Sequence, residues 1–326
     1  MLKDKTVLVT GGTGSFGKSF VKEILDQDEV KKIIVFSRDE LKQFEMQSEI
    51  NSPKLRYLLG DVRDFQRLKQ VSEGVDIIVH AAAIKQIAAA EYNPMEAIKT
   101  NIIGAENIVN VAIENKVSRV IALSTDKAAN PANLYGATKL CSDKLMIAGN
   151  LLAGAKNVRF SVVRYGNVLG SRGSVIPYFK EHATKGFLPI TDEEMTRFWL
   201  TISEGVQFVL DSLVSMQGGE IFVPKIPSFK VIDVAKVVSP NLPIKIIGIR
   251  PGEKLHEVMI TEDDSEYTLE FDKHYVILAP FLIDSDYYKS NGKKVVKGFY
   301  FSSQNNSYWH TLDSFKDVLD KAGLLT

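Results

Sequence analysis

The chain has 326 residues, enough for one large or two modest domains, and its 45% hydrophobic and 25% charged residues are those of an ordinary globular protein rather than a disordered one. Lys plus Arg equals Asp plus Glu, 40 each, so no global field favours nucleic acid or an anionic membrane, and any anion must be held locally. The one cysteine, Cys141, can form no internal disulfide, the N-terminus carries no basic-then-apolar leader, and no apolar run approaches the ~20 residues of a membrane span. We therefore expect a cytoplasmic protein that binds neither membrane nor nucleic acid.

The first half alternates short β-branched runs with amphipathic segments. Candidate strands are Thr6 to Val9, Ile33 to Phe36, Leu55 to Leu59, Asp76 to His80, Val120 to Leu123 and Phe160 to Arg164, each apolar enough to be buried on both faces. The pattern predicts an α/β fold, a doubly wound parallel sheet of the Rossmann type, with ligands at the carboxyl ends of its strands. After the first strand comes Thr10-Gly11-Gly12-Thr13-Gly14-Ser15-Phe16-Gly17, leading into a helix through Val21 and Leu25. Glycines 11, 14 and 17 let the backbone approach a pyrophosphate, and the helix start favours that anion. Gly11, Thr13, Gly14, Ser15, Phe16 and Gly17 are thus candidate cofactor contacts.

The second strand ends in Phe36-Ser37-Arg38-Asp39, where an NAD site would usually place a carboxylate for the ribose 2′-hydroxyl. A hydroxyl and a guanidinium suit a 2′-phosphate instead, so Ser37, Arg38 and nearby Lys42 point to NADP. A solvated arginine at a strand end, next to Asp39 and Glu40, is the competing reading. Gly60-Asp61-Val62 after the third strand offers an adenine contact, and Ala81-Ala82-Ala83 after the fourth would let a cofactor lie against the sheet. Lys85 would stand near its reactive end, within reach of phosphate or sugar oxygens. Asn101 is expected to pin backbone rather than to act in chemistry.

The fifth strand runs into Ser124-Thr125-Asp126-Lys127, and Tyr135-Gly136-Ala137-Thr138-Lys139 follows on a predicted helix. Tyr135 and Lys139 then lie one turn apart on one face. A phenol starts near pKa ~10, and a neighbouring cation favours the phenolate, which makes Tyr135 a usable general base. Ser124 completes the candidate cofactor contacts on this side.

These residues resemble the extended short-chain dehydrogenase/reductase superfamily. Within it, Ser124 to Pro131, Asn133 to Lys139, Arg164-Tyr165-Gly166-Asn167-Val168, Gly170-Ser171-Arg172-Gly173-Ser174 and Arg250-Pro251-Gly252-Glu253-Lys254-Leu255-His256-Glu257 closely resemble the UDP-N-acetylglucosamine 4,6-dehydratases. The likeness is greatest to the soluble, C5-inverting kind that starts pseudaminic acid synthesis, and it covers nearly the whole chain. It implies that Tyr135 takes the C4 hydroxyl proton while the cofactor takes a hydride, so that the resulting ketone acidifies C5. Lys127 would then remove the C5 proton, with its pKa drawn down by Lys139, Lys85 and a cationic nicotinamide. Asp126, its pKa raised by burial, would protonate the departing O6 hydroxyl, and Thr125 would face O4. The hydride returns to C6, so the cofactor is recycled. The dTDP-glucose branch carries Asp-Glu where Asp126-Lys127 stands, so the lysine resembles the N-acetylglucosamine branch, part of which retains C5 configuration; membrane-anchored members of that branch carry Met at the position of Tyr135, so Tyr135 and the absence of membrane helices favour the soluble inverting type.

Residues 1–165 are expected to form the NADP-binding domain, a later segment at about 198–235 returning to it, and 166–326 to form mainly a UDP-sugar lobe. There the resemblance implies substrate contacts from Lys85, Asn167, Val175 and Thr191, the last on a loop closing on the nucleotide, with Arg250 clamping the diphosphate and Glu253 the ribose. Trp199, Trp309 and His80 read as packed core residues, no His/Cys/Asp cluster has metal-ligand spacing, and a final helix runs from about Leu312 to Ala322. A homo-oligomer, dimer or higher, is expected. The alternatives are a C5-retaining dehydratase, a UDP-sugar 4-epimerase using the same Tyr135/Lys139 pair, and a cofactor-sensing protein without chemistry.

Overall fold

In the computed structural model, which describes residues 1–27, 29–171 and 175–324, the six apolar runs are neighbours in one sheet. The first half runs β1 (Thr6–Thr10), α1 (Ser15–Asp26), β2 (Lys32–Ser37), α2 (Glu40–Glu49), β3 (Leu55–Leu59), α3 (Phe65–Val71), β4 (Ile77–His80), α4 (Ile87–Tyr92), α5 (Pro94–Ile98), α6 (Gly104–Glu114), β5 (Arg119–Thr125), α7 (Leu134–Ala153) and β6 (Arg159–Tyr165). Several of these helices begin on a side chain that accepts the first free amide: Asp39 from Lys42 N at 3.0 Å, Asp64 from Arg67 N at 2.9 Å, Asn133 from Gly136 N at 2.8 Å. Such caps fix each helix start a few residues beyond the strand end, where ligands bind.

The second half comprises β7 (Asn167–Val168), α8 (Val175–Ala183), β8 (Leu188–Ile190), β9 (Thr196–Leu200), α9 (Ile202–Ser215), β10 (Glu220–Pro224), β11 (Ser228–Lys230), α10 (Val231–Val238), β12 (Ile244–Ile246), β13 (Val258–Ile260), β14 (Thr268–Glu270), β15 (His274–Leu278), α11 (Asp286–Asn291), β16 (Lys293–Lys294), β17 (Phe301–Ser302) and α12 (Leu312–Lys321). The main sheet has the order β16-β14-β15-β10-β6-β5-β4-β1-β2-β3. From β10 to β3 every pair is parallel, and β15, β14 and β16 extend the sheet antiparallel from its other edge. The order reverses between β1 and β4, which opens a crevice at their carboxyl ends.

One strand departs from the expected burial. β3 closes the sheet as an edge, with Arg56 and Leu59 exposed, because only one neighbour and one helical layer cover it. The central strands do match: Val7, Leu8, Val9, Ile78, Val79, Val120 and Ile121 are fully buried. A second, smaller core collects Leu169, Ile176, Phe179, Trp199, Phe229, Phe315 and Leu319. Here α12 presses Phe315 against Trp199 and Phe229, at ring separations of 5.5 and 4.3 Å. Trp309, by contrast, is 37% exposed and donates its indole N–H to Asn306 O, so it is not the core residue its aromaticity suggested.

Candidate active site

A cavity of about 960 Å³ opens along the crevice. Its floor is the turn from β1 to α1. Gly11 has φ +65°, and a Cβ there would stand 2.9 Å from the carbonyl of Ala81, so only glycine lets this turn lie against the end of β4. Gly14 is the N-cap of α1 and offers no side chain to its first amides, which leaves them to an anion. Thr13, Ser15, Phe16 and Gly17 line the same floor. Behind it, His80 is buried and its Nδ1 lies 2.8 Å from Thr10 Oγ1, so it packs in the core as expected. Burial, with the charge of Lys139, lowers its pKa from 6.5 to about 3.

The far end is walled by Ser37, Arg38 and Lys42. Ser37 Oγ accepts from Gln43 Nε2 at 3.0 Å, and Lys42 Nζ lies 2.6 Å from Asp39. Asp61, the expected adenine contact, is held by its neighbours. It does not line the cavity; its carboxylate accepts from Arg63 N, Nε and NH2 at 2.7 to 2.9 Å and lies 3.5 Å from Arg38. Burial would raise its pKa, but these cations hold the carboxyl below the usual range. Val62, Ala81 and Lys85 do line the cavity. Asn101, in a π-helical turn at Lys99–Ile103, bonds Ile84 N and O at 2.8 and 2.9 Å and Thr138 Oγ1 at 2.9 Å, tying the end of β4 to α7 in the structural role expected of it.

At the centre, Thr125, Lys127, Tyr135 and Lys139 share the cavity wall with Ser124 and Asn167. Thr125 ends β5 and caps a short 3-10 turn over Asp126–Ala128. The start of α7 packs on that turn so closely that a Cβ at Gly136 would lie 2.2 Å from Lys127 O. Asp126 is fully buried behind the wall rather than lining it. Its Oδ1 accepts from Thr125 Oγ1 at 2.9 Å and from Lys127 Nζ at 3.0 Å, while Oδ2 is buried without a partner. Burial raises the Asp126 pKa despite Lys127, and the charge of Glu257 adds to the rise, as a proton donor requires.

Lys127 is the main correction. Burial alone would lower its pKa, but Asp126 and Glu257 overcome that and hold the amine firmly protonated. Its Nζ lies 3.3 Å from Glu257 Oε1 and donates to Asn167 Oδ1 at 3.3 Å. Two carboxylates, not a crowd of cations, are therefore its nearest charged partners. Tyr135 differs as well: burial pushes its phenol up to about 12, against lowering by Lys127 and by a hydrogen bond to Thr125. Lys139 is lowered by burial, opposed by Asp143, whose Oδ2 also accepts from Ser124 Oγ at 2.7 Å.

Among the implied substrate contacts, Lys85, Asn167 and Val175 line the cavity, whereas Thr191, Arg250 and Glu253 do not. Thr191 is buried against Met195 Sδ at 3.3 Å. Arg250 and Glu253 face each other at 3.8 Å, with the Arg250 guanidinium 5.7 Å above the Tyr178 ring. Arg172, Gly173 and Ser174 lie outside the described residues. Sequence reasoning gave no role to Glu257 and Arg197, which are 3.8 Å apart beside Lys127; Trp199 packs in the second core as expected, but it also lines the cavity, with its Nε1 buried without a partner. Glu257 stood in a motif already singled out, but its partner is 130 positions away. Among the described residues, no group of His, Cys, Asp and Glu could hold a metal ion, and no helix is long and apolar enough to cross a membrane.

A parallel sheet wound both ways from a glycine turn, with Tyr135 and Lys139 on the helix that follows β5, defines an extended short-chain dehydrogenase/reductase. The model of a family described as polysaccharide biosynthesis protein matches residues 7–279, and the chain belongs to this family. It is 54% identical, over 98% of each chain, to the UDP-N-acetylglucosamine 4,6-dehydratase (inverting) of Campylobacter jejuni. It is 43% identical to the UDP-glucose 4-epimerase of Rickettsia prowazekii, over 81% of this chain and 80% of that one. The X-ray structure of Pen from Bacillus thuringiensis superposes with a TM-score of 0.92 at 35% identity, covering 100% of both chains.

Proposed function

We propose that the protein catalyses the NADP-dependent 4,6-dehydration of UDP-N-acetylglucosamine with inversion at C5, a cytoplasmic reaction that opens pseudaminic acid synthesis. The observation that carries this reading is the contiguous Asp126-Lys127 pair, joined at 3.0 Å beside Tyr135. A 4-epimerase needs Tyr135 and Lys139 but has no use for a second acid and base. The dehydratase relative, 54% identical, supports the same choice.

The glycine turn would hold the pyrophosphate, with Ser37 and Arg38 at the 2′-phosphate. When bound, the nicotinamide accepts the C4 hydride and later returns it to C6. Tyr135 would remove the proton of the C4 hydroxyl as phenolate, a form that its buried phenol resists and that Lys139, one turn away, and a bound cationic nicotinamide would favour. The resting pocket holds Lys127 as ammonium and Asp126 as its counter-ion, and one proton passing along the 3.0 Å hydrogen bond from Nζ to Oδ1 changes both at once. Lys127 becomes the amine that takes the C5 proton, and Asp126 becomes the acid that O6 needs to leave as water. Because Asp126 is behind the wall, its proton reaches O6 by way of Lys127 Nζ or the Thr125 hydroxyl, which both contact Oδ1 and line the cavity. Elimination restores the ammonium and carboxylate, and C5 then takes a proton, from the Lys127 ammonium or water, on the face opposite the one it lost it from, as C6 receives the hydride.

Incubation with UDP-N-acetylglucosamine followed by NMR of the product tests the proposal. The expected product is the 4-keto-6-deoxy sugar of L-arabino configuration. The D-xylo isomer would make the enzyme C5-retaining, and a C4 epimer with C6 oxygen intact would make it an epimerase.

A further inference from the structure

Glu257 is 2% exposed, outside the cavity wall, and has no contact open to substrate. It nevertheless has one oxygen, Oε1, 3.3 Å from Lys127 Nζ and 3.8 Å from Arg197 Nε, while Oε2 is buried without a partner. Its backbone is held at both ends by one residue: Glu257 N donates to Ser303 Oγ at 2.9 Å, and Ser303 N donates to Glu257 O at 2.8 Å. Ser303 Oγ lies 2.7 Å from Thr196 Oγ1, which in turn lies 2.8 Å from His256 Nδ1. The pairing of β17 with β13 brings Ser303 to this place. A buried carboxylate is costly to keep charged, so a chain that brackets one so firmly against a reacting lysine is using its charge.

We propose that Glu257 is a positioning residue of the Asp126–Lys127 pair, its carboxylate fixing where Lys127 Nζ sits between Asp126 and the cavity and setting how the two share their protons. Lys127 meets charged or titratable groups from every side: Asp126 on its own turn, Glu257 ahead of β13, Arg197 from β9, Tyr135 from α7, and Lys254, which donates to Ala129 O at 2.6 Å. Burial and Arg197 oppose protonation of Lys127, and Glu257 joins Asp126 in offsetting them. Its negative charge raises the affinity of both Lys127 and Asp126 for protons. Loss of that charge must move both titrations toward acid.

The test is Glu257→Gln, which keeps the shape and removes the charge. Its kinetic arm rests on the dehydration reading: the kcat–pH profile should move toward acid by about one pH unit or more, with KM nearly unchanged. The second arm needs neither sugar nor turnover. In protein labelled with 13C-lysine, the Lys127 ε-carbon should titrate above the ordinary lysine range in the parent chain, and its titration should move toward acid in the variant. Ser303→Ala, which loosens the bracket and keeps every charge of the cluster, should move both readouts the same way by less. Should Glu257→Gln fail to fold, Ser303→Ala decides alone. An unmoved Lys127 titration would overturn the proposal, whatever the loss of thermal stability. A moved titration without dehydration would count against the dehydratase reading instead.

Discussion

The cofactor floor and the charged cluster above it are built in opposite ways. The floor is backbone: a turn of four residues between β1 and α1, whose amides are aimed by the helix start and whose closeness to Ala81 depends on Gly11 having no side chain. The cluster is side chain: Asp126 and Lys127 from the end of β5, Asn167 from β7, Arg197 from β9 and Glu257 ahead of β13, gathered from well-separated parts of the chain. A floor made of contiguous backbone tolerates changes that spare its path. A cluster made of opposed buried charges responds to any one of them, because each partner left behind is an uncompensated charge in a poorly solvated place.

The sharpest way to separate the two regions is Lys127→Ala. Cofactor and sugar binding should survive, because their contacts lie elsewhere, while turnover should fall by ~10² to 10⁴-fold, or roughly 3 to 5 kcal/mol of barrier. Deuterium exchange at C5 in heavy water should vanish with it. A variant exchanging at the parent rate would pass the base role to Asp126, Lys85 or water.

On the floor side, His80 links stability to pH. Its folded pKa, about 3, is below the ordinary 6.5, so the unfolded chain binds the extra proton between these values. The contribution is therefore fully present above about pH 6.5 and is lost as pH falls toward 3, by an amount on the order of several kcal/mol. Urea unfolding across that window should show the slope, and His80→Asn should flatten it. An equal slope in both proteins would assign acid sensitivity to the carboxylates of the cluster.

A smaller effect compares two glycines. Gly11→Ala must carry both positive φ and a 2.9 Å approach to Ala81, whereas Gly74→Ala, at φ +69°, meets nothing within 4 Å. The first should cost about 2 to 4 kcal/mol of stability and weaken cofactor binding; the second should cost about 1 kcal/mol and leave binding alone. Equal thermal shifts would mean that the close approach to β4 carries no weight. The smallest effect expected is at Arg38, which is shared with Asp61 at 3.5 Å and exposed. Arg38→Ala should lower the preference for NADP over NAD by about tenfold, the worth of one hydrogen bond to a charged group. An unchanged ratio would leave the 2′-phosphate to Ser37 and Lys42.

Much of this was readable without coordinates, because it is encoded in short spans. Alternation of apolar runs announces a buried parallel sheet, the glycine spacing announces the turn after β1, and the four-residue step from Tyr135 to Lys139 places both on one helical face. Asp126 and Lys127 needed no fold to be found, being adjacent. What the tertiary structure decided is who stands opposite them. Coulomb interactions depend on distance in space, so the rise in the Lys127 pKa that adjacent Asp126 begins is reinforced by Glu257, a residue that local pattern cannot pair with it. The same reason made the C-terminal Ser303 the bracket of Glu257, whereas the pairs Asp61–Arg63 and Arg250–Glu253 are local, two and three residues apart. Local periodicity determines which elements form and what they present; which charges meet is settled only when distant elements pack.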